Sequence, residues 1–324
     1  MAPVAEVHVA VGVIRRGDKV LIARRPDHLH QGGLLEFPGG KLEPGETVQQ
    51  ALVRETLEET GLTVSAADLT PLIGIRHDYG DKRVFLDVWE AFSHSGEPEG
   101  KEGQSVEWRS PSLLLDEEFP AANRPIIRAA RLPRRYAITG SARDADDYVA
   151  RIKRGVPGKS SALCLLRAPE LDAASYQEVA ARVLSGEAGH QNVNWMLHGK
   201  PALLESFPDA AGVHMPWREA QRHRQRPIGS NHWLAVSCHS ADEIEHAMKL
   251  DADFITLGPV RPTESHPGAP ALGTEVFRDL IAQSAIVIYG LGGLNIGDER
   301  DIVSLGAQGI AGIGFWWPSV AAQQ

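Results

Sequence analysis

The chain has 324 residues, with 42 Asp and Glu against 33 Lys and Arg, for a formal charge of -9. That length suits two domains that each bury a core, and the acidic balance excludes the basic footprint of a protein that holds DNA or RNA as a stable partner. Its two cysteines, Cys164 and Cys238, are too few for a disulfide framework and lack metal-ligand spacing, so both are expected as packed, reduced thiols.

At the N-terminus, "VHVAVGVIRR" and "KVLIARR" read as a strand pair around the turn "RRGDK", without the charged start and apolar run of a signal peptide. No run approaches a membrane span, so a cytoplasmic, membrane-free protein is expected. In "GGKLEPGETVQQALVRETLEETGL", Thr47 and Gln50 form a capping box and Gly61 is placed to close a helix, predicted from Val48 to Thr60. "KRVFLDVWEAF" follows as another strand, and "FPAANRP" opens a second helical stretch that Pro133 interrupts. The boundary is placed near 133 to 135, dividing the chain into domains of residues 1–132 and 136–324. From Tyr136 onward the grammar changes. Short apolar runs ("YAITG", "ALCLLR", "VNWMLH", "AGVHMP", "LAVSCH", "FITLGPV", "IVIYGLGG", "GIAGIGF") are separated by helix-like stretches such as "SYQEVAARVLS" and "SADEIEHAMKL". This alternation predicts parallel strands closing into a (β/α)8 barrel of the TIM type.

Glu55, Glu58 and Glu59 fall within an arc of about 100° on the predicted helix, which also holds Val48 and Ala51. Val53 and Leu57 point to the opposite side, so both faces are expected to be covered. Like charges three and four residues apart cost roughly 0.2–0.5 kcal/mol per pair, and no lysine lies among them, so a bound cation is expected. Taken alone, such a cluster also fits a solvated helix face. Its flanks decide between the two: Gly40, five residues, Glu46, seven more and then "RETLEETGL" reproduce the Nudix box. The first 132 residues therefore resemble MutT-type Nudix hydrolases, with Thr56 where the box usually has an aliphatic residue. The resemblance implies an α/β/α sandwich on a mixed sheet, and an enzyme that acts on a small nucleotide.

That resemblance also implies a site. Glu55, Glu58, Glu59 and the carbonyl of Gly39 are the implied ligands of Mg²⁺, or of Mn²⁺; hard carboxylate oxygens suit either ion. Arg54 is expected to orient a glutamate through an ion pair, and Glu46 to play a related structural part. "GKEGQSVEW" matches the segment that carries a further acidic residue, here Glu102, a metal ligand or general base. "EEFPAANRPII" matches the segment whose asparagine reads the purine, which gives that role to Asn123; an amide offers a donor and an acceptor together. Arg25, His30 and the run Glu36, Phe37, Pro38, Gly39 match the remaining nucleotide-contacting positions. His30 reads equally as a surface loop residue, and Phe37 as a core aromatic. Lys82 stands near the position of a base-contacting arginine, a departure that bears on that contact.

Residues 136 to 317 resemble the thiamine phosphate synthase and TenI-like barrels, through "DADFITLGPVRPTESHPGAPALG", "YGLGG" and "GIAGIG". Glycine-rich loops there hold a phosphate with backbone amides, a role that falls on Thr263, Gly292, Gly293 and Gly312 to Phe315; the same glycines also serve tight barrel turns. Three departures point away from synthesis. Of the family's glutamine, arginine and lysine pattern only Arg167 remains, with Leu165 and Pro169 in the other places. The acidic residue expected after the "WMLHGK" strand is missing, and the lysine after "PT" is replaced around His266. A TenI-like barrel that binds a thiamine-related phosphate is expected. His198, His214 and His239, at strand ends, form either an acid/base cluster or a polar lining.

The main expectation is a Mg²⁺-dependent pyrophosphohydrolase that cleaves 8-oxo-dGTP to the monophosphate and pyrophosphate. Two rivals remain: hydrolysis of a thiamine diphosphate analogue, which would account for the barrel, and a ligand-sensing barrel that makes the chain a regulated binding module.

Overall fold

In the first strand, β1 (Glu6–Arg16), five consecutive residues from Ala10 to Ile14 are buried, so both faces of the strand are covered. A two-residue turn leads to β2 (Lys19–Arg24), antiparallel to β1. The strands that follow are β3 (Leu35–Glu36), β4 (Gly39–Lys41), β5 (Leu69–Asp78), β6 (Arg83–Ala91) and β7 (Val106–Arg109). They form one mixed sheet in the order β3-β2-β1-β6-β5, with β4 also paired to β1 and β7 to β2. The β1–β6 pair is parallel and runs from Glu6↔Arg83 to Ile14↔Ala91. The computed structural model describes residues 6–27, 31–78, 80, 82–155, 162–189, 192–263 and 270–317.

Helix α1 (Val48–Thr60) has the predicted bounds. The Thr47 side chain accepts from the Gln50 amide, the Gln50 side chain accepts in return, and Gly61 closes the helix at φ 70°, a left-handed position that glycine takes without strain. Ala51 and Leu52 pack into a core with Ala10, Ile14, Leu21 and Leu62. The expectation that both faces of α1 are covered is corrected: Val53 packs at the margin of this core, but Leu57 is 50% exposed. Helix α2 (Arg124–Arg131) packs against β5 and buries Ile126 and Ile127.

Two compact units divide the chain. One comprises Met1–Leu132 with the short segments Ile281–Val287 and Val303–Gly306, and the other comprises the remainder. The second is a closed parallel barrel of β8 (Arg135–Ile138), β9 (Ala162–Leu166), β10 (Val193–His198), β11 (Gly212–Met215), β12 (Trp233–Cys238), β13 (Phe254–Leu257), β14 (Val287–Leu291) and β15 (Gly309–Gly312). Each strand falls on one of the eight apolar runs read from the sequence. Tyr136, Phe254 and Tyr289 fill the interior, with ring centroids 5.2 to 5.6 Å apart. Cys164 and Cys238 are buried free thiols. Among the described residues, no helix is long and apolar enough to cross a membrane.

Candidate active site and barrel pocket

Two glycines let the β4 loop meet helix α1. Gly39 sits at φ 153°, where a side chain would collide with the Ala10 carbonyl of the neighbouring strand. A Cβ on Gly40 would fall on the Glu55 carboxylate. The loop backbone therefore lies directly against Glu55, and the Gly39 amide donates to Glu59 Oε2 at 3.0 Å. Arg54 gathers the other acids: its guanidinium donates to both Glu46 oxygens (3.0 and 2.8 Å), to Glu55 (2.8 Å) and to Glu58 (3.2 Å). The cluster thus has a resident cation, although none of the glutamates' immediate neighbours in the sequence is a lysine. Glu58 faces outward, with its side chain 57% exposed, whereas the Glu55 side chain is only 16% exposed.

Burial raises the Glu59 carboxyl to about 8, against the opposing hydrogen bond from Gly39 and with reinforcement from Glu36, Glu55 and Glu102. Glu102 is exposed, yet it lies near enough to act on both Glu59 and Glu36. Burial likewise raises Glu36, and its ion-pair partner Arg25 opposes this. The structure thus brings Glu36, Glu55, Glu59 and Glu102 together around the glycine loop. Among the described residues no three acidic, His or Cys side chains are already placed to hold a metal ion. The donor set nevertheless fits a hard divalent cation, because four carboxylates share one neighbourhood and hard oxygen donors suit such an ion.

Other sequence-derived positions divide. Asn123 is 9% exposed at the start of α2 and makes no side-chain cap hydrogen bond. Phe37 is 4% exposed with its ring 5.6 Å from Phe119, so it is a core aromatic. The Pro38 carbonyl is taken by the Gly12 amide at 2.8 Å. His30 lies outside the described residues. Thr56 is fully buried with its hydroxyl unpartnered, a polar atom where an aliphatic side chain was expected.

In the second unit, a cavity of about 830 Å³ opens at the C-terminal strand ends. His198, His214 and His239 all line it, but they do not act as one cluster. His214 is buried between Tyr136 (hydroxyl to Nδ1, 3.1 Å) and Ser237 (Oγ to Nε2, 2.9 Å), with His198 alongside at a ring distance of 6.3 Å. Burial, with nearby Arg167 and Arg218, lowers His198 to about 4; burial also pushes His214 well below its ordinary value. His239 stands apart, exposed and bonded to Glu243 at 2.8 Å. Thr263 and Gly292 line the cavity. Gly292 and Gly293 have φ of 95° and 66°, and a Cβ on either would strike the Pro259 to Pro262 segment, so both are required by the turn itself. At Gly312 a Cβ would press on Phe315. His266 lies outside the described residues. The sequence reading missed Trp217, Arg218 and Ser237, which also line the cavity; their only signal was position just before or after a strand end.

A glutamate helix against a glycine loop on a mixed sheet, followed by a closed parallel barrel, defines a two-part α/β enzyme. Residues 10–129 match the NUDIX domain model, and residues 135–314, more than half the chain, match the thiamine monophosphate synthase model. The chain belongs to both families, a Nudix hydrolase fused to a thiamine monophosphate synthase/TenI domain. It is 42% identical over 123 residues to the 8-oxo-dGTP diphosphatase of Escherichia coli K12, covering 38% of this chain and 94% of that protein. It is 32% identical over 123 residues to the same organism's CTP pyrophosphohydrolase, covering 38% and 90%. The second unit is 27% identical over 185 residues to a putative thiamine-phosphate synthase 2 of Aquifex aeolicus, covering 57% of this chain and 98% of that protein.

Proposed function

We propose that the N-terminal unit hydrolyses 8-oxo-dGTP to 8-oxo-dGMP and pyrophosphate with Mg²⁺, or with Mn²⁺ in its place, and so keeps oxidised guanine out of the nucleotide pool. The carrying observation is the group of carboxylates held against the Gly39–Gly40 backbone, one of them raised to about 8 by burial and by its acidic neighbours. Glu55, Glu58, Glu59, Glu102 and the Gly39 carbonyl would hold the metal. When bound, it supplies positive charge to the phosphate oxygens. Water forms the new bond to phosphorus, and the bond to the nucleoside monophosphate breaks. Glu102, exposed beside the cluster, would either join these ligands or accept the water's proton. Arg54 positions Glu55 and Glu58, Asn123 would offer its amide to the purine edge, and the Arg25–Glu36 pair flanks the loop. The 42% identity to an 8-oxo-dGTP diphosphatase supports the substrate choice. Pyrophosphate release from 8-oxo-dGTP, beside dGTP, CTP and oxidised thiamine diphosphate, each with Mg²⁺ and with chelator, tests it. A preference for CTP or the thiamine compound would replace the substrate assignment.

The barrel, in this reading, binds a thiamine-related phosphate at Thr263, Gly292, Gly293 and Gly312 but does not synthesise thiamine phosphate. The functional boundary falls between Leu132 and Tyr136, so a fragment of residues 1–132 should hydrolyse nucleotides unaided. An inactive but folded fragment would show that the hydrolase needs the rest of the chain.

A further inference from the structure

The carboxamide of Gln104 sits between two acidic residues of the candidate site and touches the backbone of both. Its Nε2 donates to the main-chain carbonyl of Glu59 at 3.0 Å, and its Oε1 accepts from the main-chain amide of Glu102 at 2.8 Å. The pairing uses both ends of the group, because only its nitrogen can donate to a carbonyl and only its oxygen can accept from an amide.

The end of α1 explains why a partner is needed there. The last carbonyls of a helix have no acceptor role within it, and the segment that follows β6 fills the need: the Glu99 amide donates to the Thr60 carbonyl and the Lys101 amide to the Glu59 carbonyl, each at 2.9 Å. Farther on, the Ser105 carbonyl accepts from the Arg24 amide at 2.9 Å and the chain enters β7, paired to β2. Backbone bonds thus hold the segment at Lys101 and again at Ser105. The turn between them carries Glu102, which is exposed, and the Gln104 carboxamide spans it. Gly100 permits this close return of the chain, since a Cβ there would fall 1.6 Å from the Gln104 carbonyl oxygen. Glu59 is consequently held twice, its carboxylate by the Gly39 amide and its carbonyl by this segment.

Resting on the hydrolase reading, we infer that Gln104 is a positioning residue, which fixes the turn bearing Glu102 at a set offset from Glu59 so that the two carboxylates serve one reacting centre. An exposed glutamate on an untied turn would spread over many backbone and rotamer states, and ordering it would then have to accompany each turnover.

The test uses the full chain with Gln104→Met, which keeps the length of the side chain and deletes both hydrogen bonds; Gln104→Ala takes its place if thermal melting shows the first variant unfolded. In chelator, amide-resolved hydrogen exchange should show the Glu102 amide exchanging about tenfold faster, while the Gly61 amide, bonded to the Leu57 carbonyl, is unchanged. With Mg²⁺ and the nucleotide turned over fastest, kcat should fall about tenfold and KM should move less than about twofold, as expected for misplacement of a reacting group. In the Glu102→Gln background the same substitution should cost nothing more, because it acts through Glu102; a merely structural role would multiply the two losses. Unchanged exchange at Glu102 in folded protein would overturn the hold, and an unchanged kcat or multiplying losses would overturn its part in turnover. A wild-type chain inactive on every nucleotide instead removes the hydrolase reading, and with it the part in turnover, while the exchange result still decides the hold.

Discussion

The backbone amide of Gly39 donates to the Glu59 carboxylate at 3.0 Å, tying the glycine loop to the last turn of α1. Glutamine at position 59 keeps that acceptor but cannot present a carboxylate to a metal ion. Glu59→Gln should therefore fold normally, with metal-free thermal stability level or higher, while turnover falls on the order of 10²-fold. Steady-state kinetics across a Mg²⁺ series, with melting in EDTA, check this. Near-normal Mg²⁺-dependent turnover would remove Glu59 from the ligand set.

Gly40→Ala probes the same contact from the loop side. Its backbone is not in the left-handed region, so alanine is tolerated locally, but the new methyl displaces the Glu55 carboxylate. Turnover should fall on the order of 10²-fold with the melting temperature little changed, since small misplacements at a reacting centre are costly. If activity survives in a folded variant, the packing of Glu55 on the loop is dispensable.

Asn123→Ala should alter selectivity more than metal chemistry. The ratio of kcat/KM for 8-oxo-dGTP to that for dGTP is expected to drop on the order of 10²-fold, because the purine would leave hydrogen-bonding groups unmatched. The Mg²⁺ concentration for half-maximal rate should stay put. An unchanged ratio would assign purine reading elsewhere.

His198 gives a pH dependence with a defined sign. Its folded pKa of about 4 lies below the ordinary 6.5, so between those values the unfolded chain binds a proton that the folded chain refuses. Its contribution is constant above about 6.5, is lost as pH falls toward 4, and is flat below that. His198→Gln should flatten the acid side of a plot of melting temperature against pH for the full chain. Parallel curves for the two proteins would count against a buried neutral imidazole.

The elements legible in the sequence were those with local signals. Thr47, Gln50 and Gly61 fixed both ends of α1, and period changes marked all eight barrel strands. β5 went unread because Pro71 and Gly74 interrupt its apolar run; the sheet accommodates the proline with a register shift between Pro71 and Ile73. The family resemblance located the acids, and the structure supplied their grouping. Nothing in a helical projection could say that Leu57 lies open to solvent, that Phe37 packs on Phe119, or that His239 turns to Glu243 and away from the other histidines.

From within α1, Arg54 bridges Glu55 and Glu58 of the same helix and Glu46 just before it. Small zinc domains have no such internal counter-ion, and for them losing the metal means losing the fold. If the hydrolase takes a divalent cation as proposed, α1 and its sheet can form before that ion binds, and a fall in free Mg²⁺ would silence the enzyme without unfolding it. Loading and unloading would then exchange two folded states, and recovery of activity would follow ion binding without refolding.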